Sequence, residues 1–420
     1  MRRSSKSHSD KLSADSQRLI ALSTAAIQAH SRLEARVWER QLDDQVQKLL
    51  QASRQDALDA ALDHLFRTEL SAYDVLMETV EAVSESVTLE HEGMEYEALL
   101  IAVPILAWTR FAIASGPVPQ DALSALSADF AMHILTPQAR KVMAPALYSV
   151  DQLPHTYAET YTLTKKLAQA ALKEAPYRLP ATRPDTVPFL ADVRYLLLAA
   201  VVPAGEPIFR WQVVHNPVES VYARLDCFEE WQRLAMPVLT RLMPGCNLEP
   251  IVPEAYYSAC RNADKRIRPA SIRAATHYLT HALGVPPADL RAVIGGFGNA
   301  IDSDSVEEYR VGFCTRQDQR ILYGIVWPVY GQDEARLTLP PSHPERMREL
   351  PPLGAEKTEV PLKQLLATLQ ECGVPCETIH SERFPLEFCD DCGAPMYVDA
   401  SGELVHAEMP DDTPQSGHFH

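Results

Sequence analysis

Residues 309–329 read YRVGFCTRQDQRILYGIVWPV. Two runs rich in β-branched and aromatic side chains, Tyr309 to Cys314 and Arg320 to Val329, flank the polar Arg316-Gln317-Asp318-Gln319. Strand, turn and strand in that order predict a β-hairpin. The other end of the chain has the opposite texture. No glycine or proline occurs between residues 1 and 92, and apolar residues recur there close to the helical period. Leu19, Leu22 and Ala26 follow a candidate N-cap at Ser13, and Val37, Trp38, Leu42, Val46 and Leu49 follow Ser31. Leu58, Ala61, Leu62 and Leu65 follow Ser53, and Val75, Leu76 and Val80 follow Ser71. Serine is a favoured cap because its hydroxyl accepts an otherwise orphaned N–H of the first turn. A helical start joined to a strand-bearing remainder predicts an α+β fold.

A second hairpin is expected from Val193 to Val201 and Ile208 to Val214, joined by Pro203-Ala204-Gly205-Glu206-Pro207. The two hairpins fall in stretches that resemble each other at an offset of 99 residues. That offset superposes Leu135, Pro145, Pro154 and Tyr157 on Leu234, Pro244, Pro253 and Tyr256. A duplication and chance coincidence in a chain with 32 prolines both account for the match. The expected organisation is a helical region over 1–92 and two tandem, duplicated or merely similar α+β units over 93–215 and 216–338. A small zinc-ribbon-like module follows over 339–420. The Pro-dense stretch from Pro340 to Gly354 marks its boundary. Leu362, Leu365, Leu366 and Leu369 then form an amphipathic helix stopped by Gly373.

The chain has 420 residues with 39 Lys or Arg and 56 Asp or Glu, a formal net charge of −17. An acidic surface repels phosphate, so neither nucleic acid nor an anionic membrane is the expected partner; an unidentified protein or small molecule is. The basic start, MRRSSKSHSDKL, lacks the apolar core of a signal peptide and reads as a disordered leader. The longest apolar run, Leu99 to Trp108, is too short for a membrane helix. Cys227, Cys246, Cys260 and Cys314 are widely spaced, the pattern of core thiols in a reducing compartment, and the cytoplasm is the expected location.

The sharpest chemical motif is Phe388-Cys389-Asp390-Asp391-Cys392-Gly393-Ala394-Pro395. Two thiolates three positions apart, followed by a glycine, can reach one ion from a tight turn, as in zinc knuckles. His406 and a terminal histidine, His418 or His420, complete a candidate Cys2His2 set of Cys389, Cys392, His406 and His420. Its spacing departs from that of zinc fingers. Cys372 and Cys376 are the rival second pair. Inert thiols and a redox couple remain open alternatives to structural zinc, and Asp390 and Asp391 would oppose a reactive thiolate by like charge.

Weaker signals lie elsewhere. Gly295-Gly296-Phe297-Gly298 lacks the third glycine of a dinucleotide loop and the lysine of a P-loop, so a flexible loop or tight turn is expected. Arg261, Lys265 and Arg268, with Arg266 and Arg273, form a basic island beside Tyr256 and Tyr257. The first three are candidate anion-binding residues, with a solvated helix face as the alternative. His91-Glu92-Gly93-Met94-Glu95 begins like a zinc-protease helix but ends in glutamate. No motif identifies a nucleophile or general base.

The strings FPLEFCDDCGAPMYVDASGELVHAEMP and Gly93-Met94-Glu95-Tyr96-Glu97-Ala98-Leu99-Leu100 resemble an uncharacterised family of proteobacterial proteins, a domain of unknown function. The resemblance covers most of the chain, with CDDCGAP and GELVHAE its most specific parts. It implies a bacterial, cytosolic protein and supplies no activity, cofactor or catalytic residue. The expected function is a non-enzymatic binding or regulatory protein with a structural metal knuckle. The alternative is a hydrolase or transferase acting on an anionic small molecule between the two α+β units.

Overall fold

The computed structural model describes residues 12–109, 112–178, 190–213, 217–298, 306–329 and 359–408. The expected leader, the Pro-dense boundary, His418 and His420 lie outside these residues. The run without glycine or proline folds as four helices, α1 (Ala14–Gln28), α2 (Arg32–Gln51), α3 (Gln55–Thr68) and α4 (Leu70–Glu85). Ser13 and Ser31 cap the first two as expected, their hydroxyls accepting the N–H groups of Ser16 and Glu34. Ser53 and Ser71 do not cap. The third and fourth helices start after Arg54 and Glu69 without a side-chain cap. The helices also stop short of residue 92. Residues Ser86–His91 form strand β1, which turns back at Glu92 and Gly93 into β2 (Met94–Trp108). Both turn residues have positive φ, 53° and 77°, the conformation of the two-residue turn whose twist matches paired strands.

Among the described residues β2 is the longest strand, and its longest pairing is with β6 (Ala191–Pro203). The two run antiparallel from Tyr96 opposite Pro203 to Trp108 opposite Ala191. Between them in sequence lie β3 (Gly116–Pro117), α5 (Gln120–His133), β4 (Arg140–Met143), β5 (Ala146–Leu147) and α6 (Tyr157–Leu172). Helix α7 (Pro217–Leu242), β7 (Asn247–Pro250), β8 (Glu254–Ala255) and α8 (Tyr256–Leu283) follow β6. Because both faces of the β2–β6 pair are covered, both strands are apolar almost throughout. Ile101, Val103, Ile105, Leu196 and Leu198 pack on α5 and α7, around Phe130 and Trp231. Leu100, Leu106, Val193, Tyr195 and Leu197 face α6 and α8. The four amino-terminal helices close a third core with Val87, Tyr96, Ala98 and Tyr161.

The expected hairpin of 193–201 with 208–214 does not form. Strand β6 is flanked by β2 and β4 instead, and Arg210–Gln212 is a turn of 3-10 helix. A strand buried on both faces satisfies its backbone with long neighbours, and β2 offers 13 residues of register against the short segment after Pro207. The hairpin of the later segment does form, as β10 (Glu308–Thr315) with β11 (Tyr323–Pro328). It belongs to a second sheet in the order β11-β10-β9-β12, where β9 is Leu290–Phe297 and β12 is Cys376–Phe384. The expected amphipathic helix is α9 (Glu359–Glu371). Its leucines and the far half of α8 cover one face of this sheet. The other face carries a two-stranded ribbon of β13 (Tyr397–Val398) and β14 (Leu404–Val405).

The offset of 99 recurs in the element starts. Helices α6 and α8 open at Tyr157 and Tyr256, and strands β6 and β9 at Ala191 and Leu290. Strand β4 pairs with β6 inside the first expected unit, whereas β7, from the second, pairs with β2 of the first.

Candidate metal centre

The carboxy-terminal segment from Glu387 to Glu408 is built as a loop followed by the ribbon. Phe388 bridges to Pro395, and the Cys389 N–H donates to the Ala394 carbonyl at 2.8 Å. The Gly393 N–H closes back on the Cys389 carbonyl at 2.8 Å, with φ +75° at the glycine. Few residues other than glycine adopt that angle without strain, which is why the motif reads Cys-Gly here. The turn points the N–H groups of Cys392 and Asp391 at the Cys389 sulfur. Together with the Cys392 thiol they hold the Cys389 thiol below its ordinary range. Asp391 pushes the thiol up by like charge, as the sequence implies, but the backbone N–H groups and the Cys392 thiol outweigh it.

His406 follows β14 and returns to the loop, its Nε2 3.1 Å from the Cys392 sulfur. Its Nδ1 lies 3.5 Å from the Glu408 carboxylate, within ion-pairing reach. One donor atom each from Cys389, Cys392 and His406 lies within 4.8 Å of the others. Ligands of a tetrahedral zinc ion sit roughly 3.3–3.8 Å apart, so the three donors need only small adjustments to share one ion. Cys392 is exposed while Cys389 and His406 are half-buried. His420, the fourth expected ligand, lies outside the described residues. Cys372 ends near α9 and Cys376 opens β12, as anticipated from sequence. Burial pushes both thiols up, and neither joins the cluster.

The glycine stretch serves this ribbon rather than a loop. Gly295 and Gly296 lie within β9, and a Cβ on Gly295 would stand 2.6 Å from Val398 Cγ1. On β11, a Cβ at Gly324 would fall 2.1 Å from the Tyr397 ring. The bare strands let the ribbon lie directly on the sheet. Another contributor went unnoticed in the sequence. Arg310 on β10 is fully buried, and its Nη1 donates to the Glu387 and Met396 carbonyls at 2.6 and 2.7 Å. Its Nε donates to Glu308 Oε1 at 2.6 Å.

The basic island lies along α8. Arg261 pairs with Glu81 of α4 at 2.5 Å, Arg266 with Glu249 and Arg273 with Glu371. Arg268 is buried with its guanidinium 5.9 Å from the Trp327 ring centroid, and Lys265 is half-buried on the same helix. His91 to Glu95, the sequence that begins like a zinc-protease helix, forms the β1–β2 turn. Among the described residues no helix is long and apolar enough to cross a membrane.

No curated protein and no solved structure matches the chain. One family model does, described as "Protein of unknown function (DUF2863)" and spanning residues 4–419. With nearly its whole length matched, and in keeping with the resemblance carried by its CDDCGAP and GELVHAE strings, the chain belongs to that family.

Proposed function

We propose that the chain is a cytosolic, non-enzymatic binding or regulatory protein of a bacterium, with a carboxy-terminal module closed by a structural zinc ion. The ligands are Cys389, Cys392, His406 and, from the terminal segment, His420. The observation that carries the reading is the meeting of two thiols and an imidazole within 4.8 Å on a loop held by the second sheet. A sulfur-rich set with nitrogen suits zinc better than oxygen-seeking calcium or magnesium. Bound there, the ion would tie the knuckle to the end of β14 and so lock a small element with little core of its own. That task is structural.

The binding part of the proposal draws on the repeated element starts, which we read as a duplication, and on a net charge of −17 that favours a protein or small-molecule partner over nucleic acid or membrane. The alternative, a hydrolase or transferase on an anionic small molecule, would use Arg261, Lys265, Arg268 and the glycine stretch. It gains less support, because Glu81 answers the charge of Arg261 and Val398 covers Gly295.

Elemental analysis of the purified full-length protein beside Cys389→Ser tests the metal reading. About one zinc per chain in the wild type and its loss in the variant are expected. Metal-free protein in both cases would leave ordinary thiols and remove the basis of the proposal.

A further inference from the structure

We propose that Arg310 is the positioning residue of this metal site, a buried clamp on β10 that sets the knuckle and the ribbon at the separation their shared ion requires. The inference rests on the metal reading and deepens it. Both thiols lie between Glu387 and Met396, and His406 lies on the chain that continues from Met396 through the ribbon. One nitrogen, Arg310 Nη1, holds the carbonyls at both ends of that loop, 77 and 86 residues away in sequence. The Met396 N–H also donates to the Glu387 carbonyl, at 3.1 Å, so the clamp and the loop's own closure meet on one oxygen.

A buried guanidinium is costly unless its charge is met, and here it is met on several sides. Glu308 accepts from Nε, and the Phe297 and Phe388 ring centroids lie 4.4 and 5.0 Å from the guanidinium carbon. Nη2 has no hydrogen-bond partner among the described residues, and these π faces stand in for one. Only a planar, forked cation can serve a carboxylate, two carbonyls and two rings together; the point charge of lysine cannot. The two carbonyls and the Phe388 ring belong to the loop that carries the thiols, while Glu308 and Phe297 anchor the guanidinium to the sheet.

The test is cobalt(II) titration of the full-length protein against a competing chelator, read by the thiolate-to-cobalt absorption band. Amide hydrogen exchange over Asp391 to Gly393 is measured in the metal-free chain alongside it. Arg310→Lys is expected to lower cobalt affinity roughly ten- to a hundred-fold, the range typical of groups that orient ligands. The same variant should change the shape of the cobalt spectrum and deprotect the loop amides while β9 to β11 stay protected. Unchanged affinity and unchanged exchange would overturn the proposal. If the wild type takes up no cobalt, the metal reading fails, and the exchange data alone decide: local deprotection supports the clamp and its absence refutes it. If Arg310→Lys does not fold, Phe388→Ala decides instead, because Phe388 is 55% exposed and its loss removes only one face of the guanidinium. A several-fold weakening then supports the clamp, and no weakening overturns it.

Discussion

Glu85 ends α4 with its carboxylate against the first turn of α8, where the Tyr257 N–H donates to Oε2 at 2.9 Å. Burial pushes its carboxyl up to about 7 from the ordinary 4.5; the Tyr257 N–H works against that, Glu81 adds to it and Arg261 opposes it. A group that binds its proton more tightly when folded stabilises the fold at low pH. Its contribution is full below 4.5, falls as pH rises to about 7, and is flat beyond. At about 1.4 kcal/mol per unit, the span is at most roughly 3 kcal/mol. Glu85→Gln keeps an oxygen for Tyr257 and removes the charge. It should raise stability in urea by about 1–2 kcal/mol at pH 8, change little at pH 4.5, and flatten the slope between. A variant weakened at pH 8 but not at pH 4.5 would mean that the helix terminus needs the charge itself. Arg310 shows how a single residue escapes a reading of sequence. In the run Tyr309-Arg310-Val311 it looks like an ordinary charged strand position, yet it is fully buried. Its partners are backbone carbonyls far downstream, and no periodicity announces those.

Among the elements, the later hairpin was legible because its turn and its pairing are local: residues 316–319 are polar and β10 meets β11 directly. The knuckle was legible for the same reason, since Cys389, Cys392 and Gly393 belong to one turn. Strand β6 carried an equally strong apolar signal but no sign of its partner, which lies about ninety residues upstream. The Pro203–Pro207 turn residues then suggested a neighbour that the fold does not use. Strand β1 was hidden inside a long glycine-free stretch, and only the Glu92-Gly93 pair marked where its hairpin turns. The glycines of the second sheet look like a loop signal and are a packing one. With Tyr397 lying on Gly324, Gly324→Ala places a methyl group where the ring now sits. Overpacking of that kind costs about 1–3 kcal/mol. Thermal unfolding should register that loss, and hydrogen exchange should show it concentrated in the ribbon, Tyr397 to Val405. Loss of protection spread evenly across the sheet would instead show that the ribbon and sheet unfold as one unit.

Across the whole molecule, the cores divide the labour. The β2–β6 pair is packed on both faces by four helices, and the amino-terminal helices add a third body of apolar side chains. The ribbon and the knuckle share only a small cluster with the second sheet, around Val293, Phe297, Phe384, Tyr397 and Val398. Stability in such a molecule is uneven, with weakly packed elements opening before the cores do. A metal ion on Cys389, Cys392 and His406 would act on that weak element, since a ligand stabilises only what must open to release it. Adding a chelator to the metal-loaded, full-length protein should therefore raise amide exchange from Leu386 to Ala407. The β2–β6 pair should keep its protection, and Cys389→Ser should reproduce the pattern without chelator. The second sheet stands between these extremes: Arg310 reaches the knuckle from β10, so Glu308 to Phe313 is where loosening should first spread if it spreads at all. Exchange rising together in the knuckle and in β2 would contradict this division, making the metal a determinant of the whole fold rather than of its carboxy-terminal module.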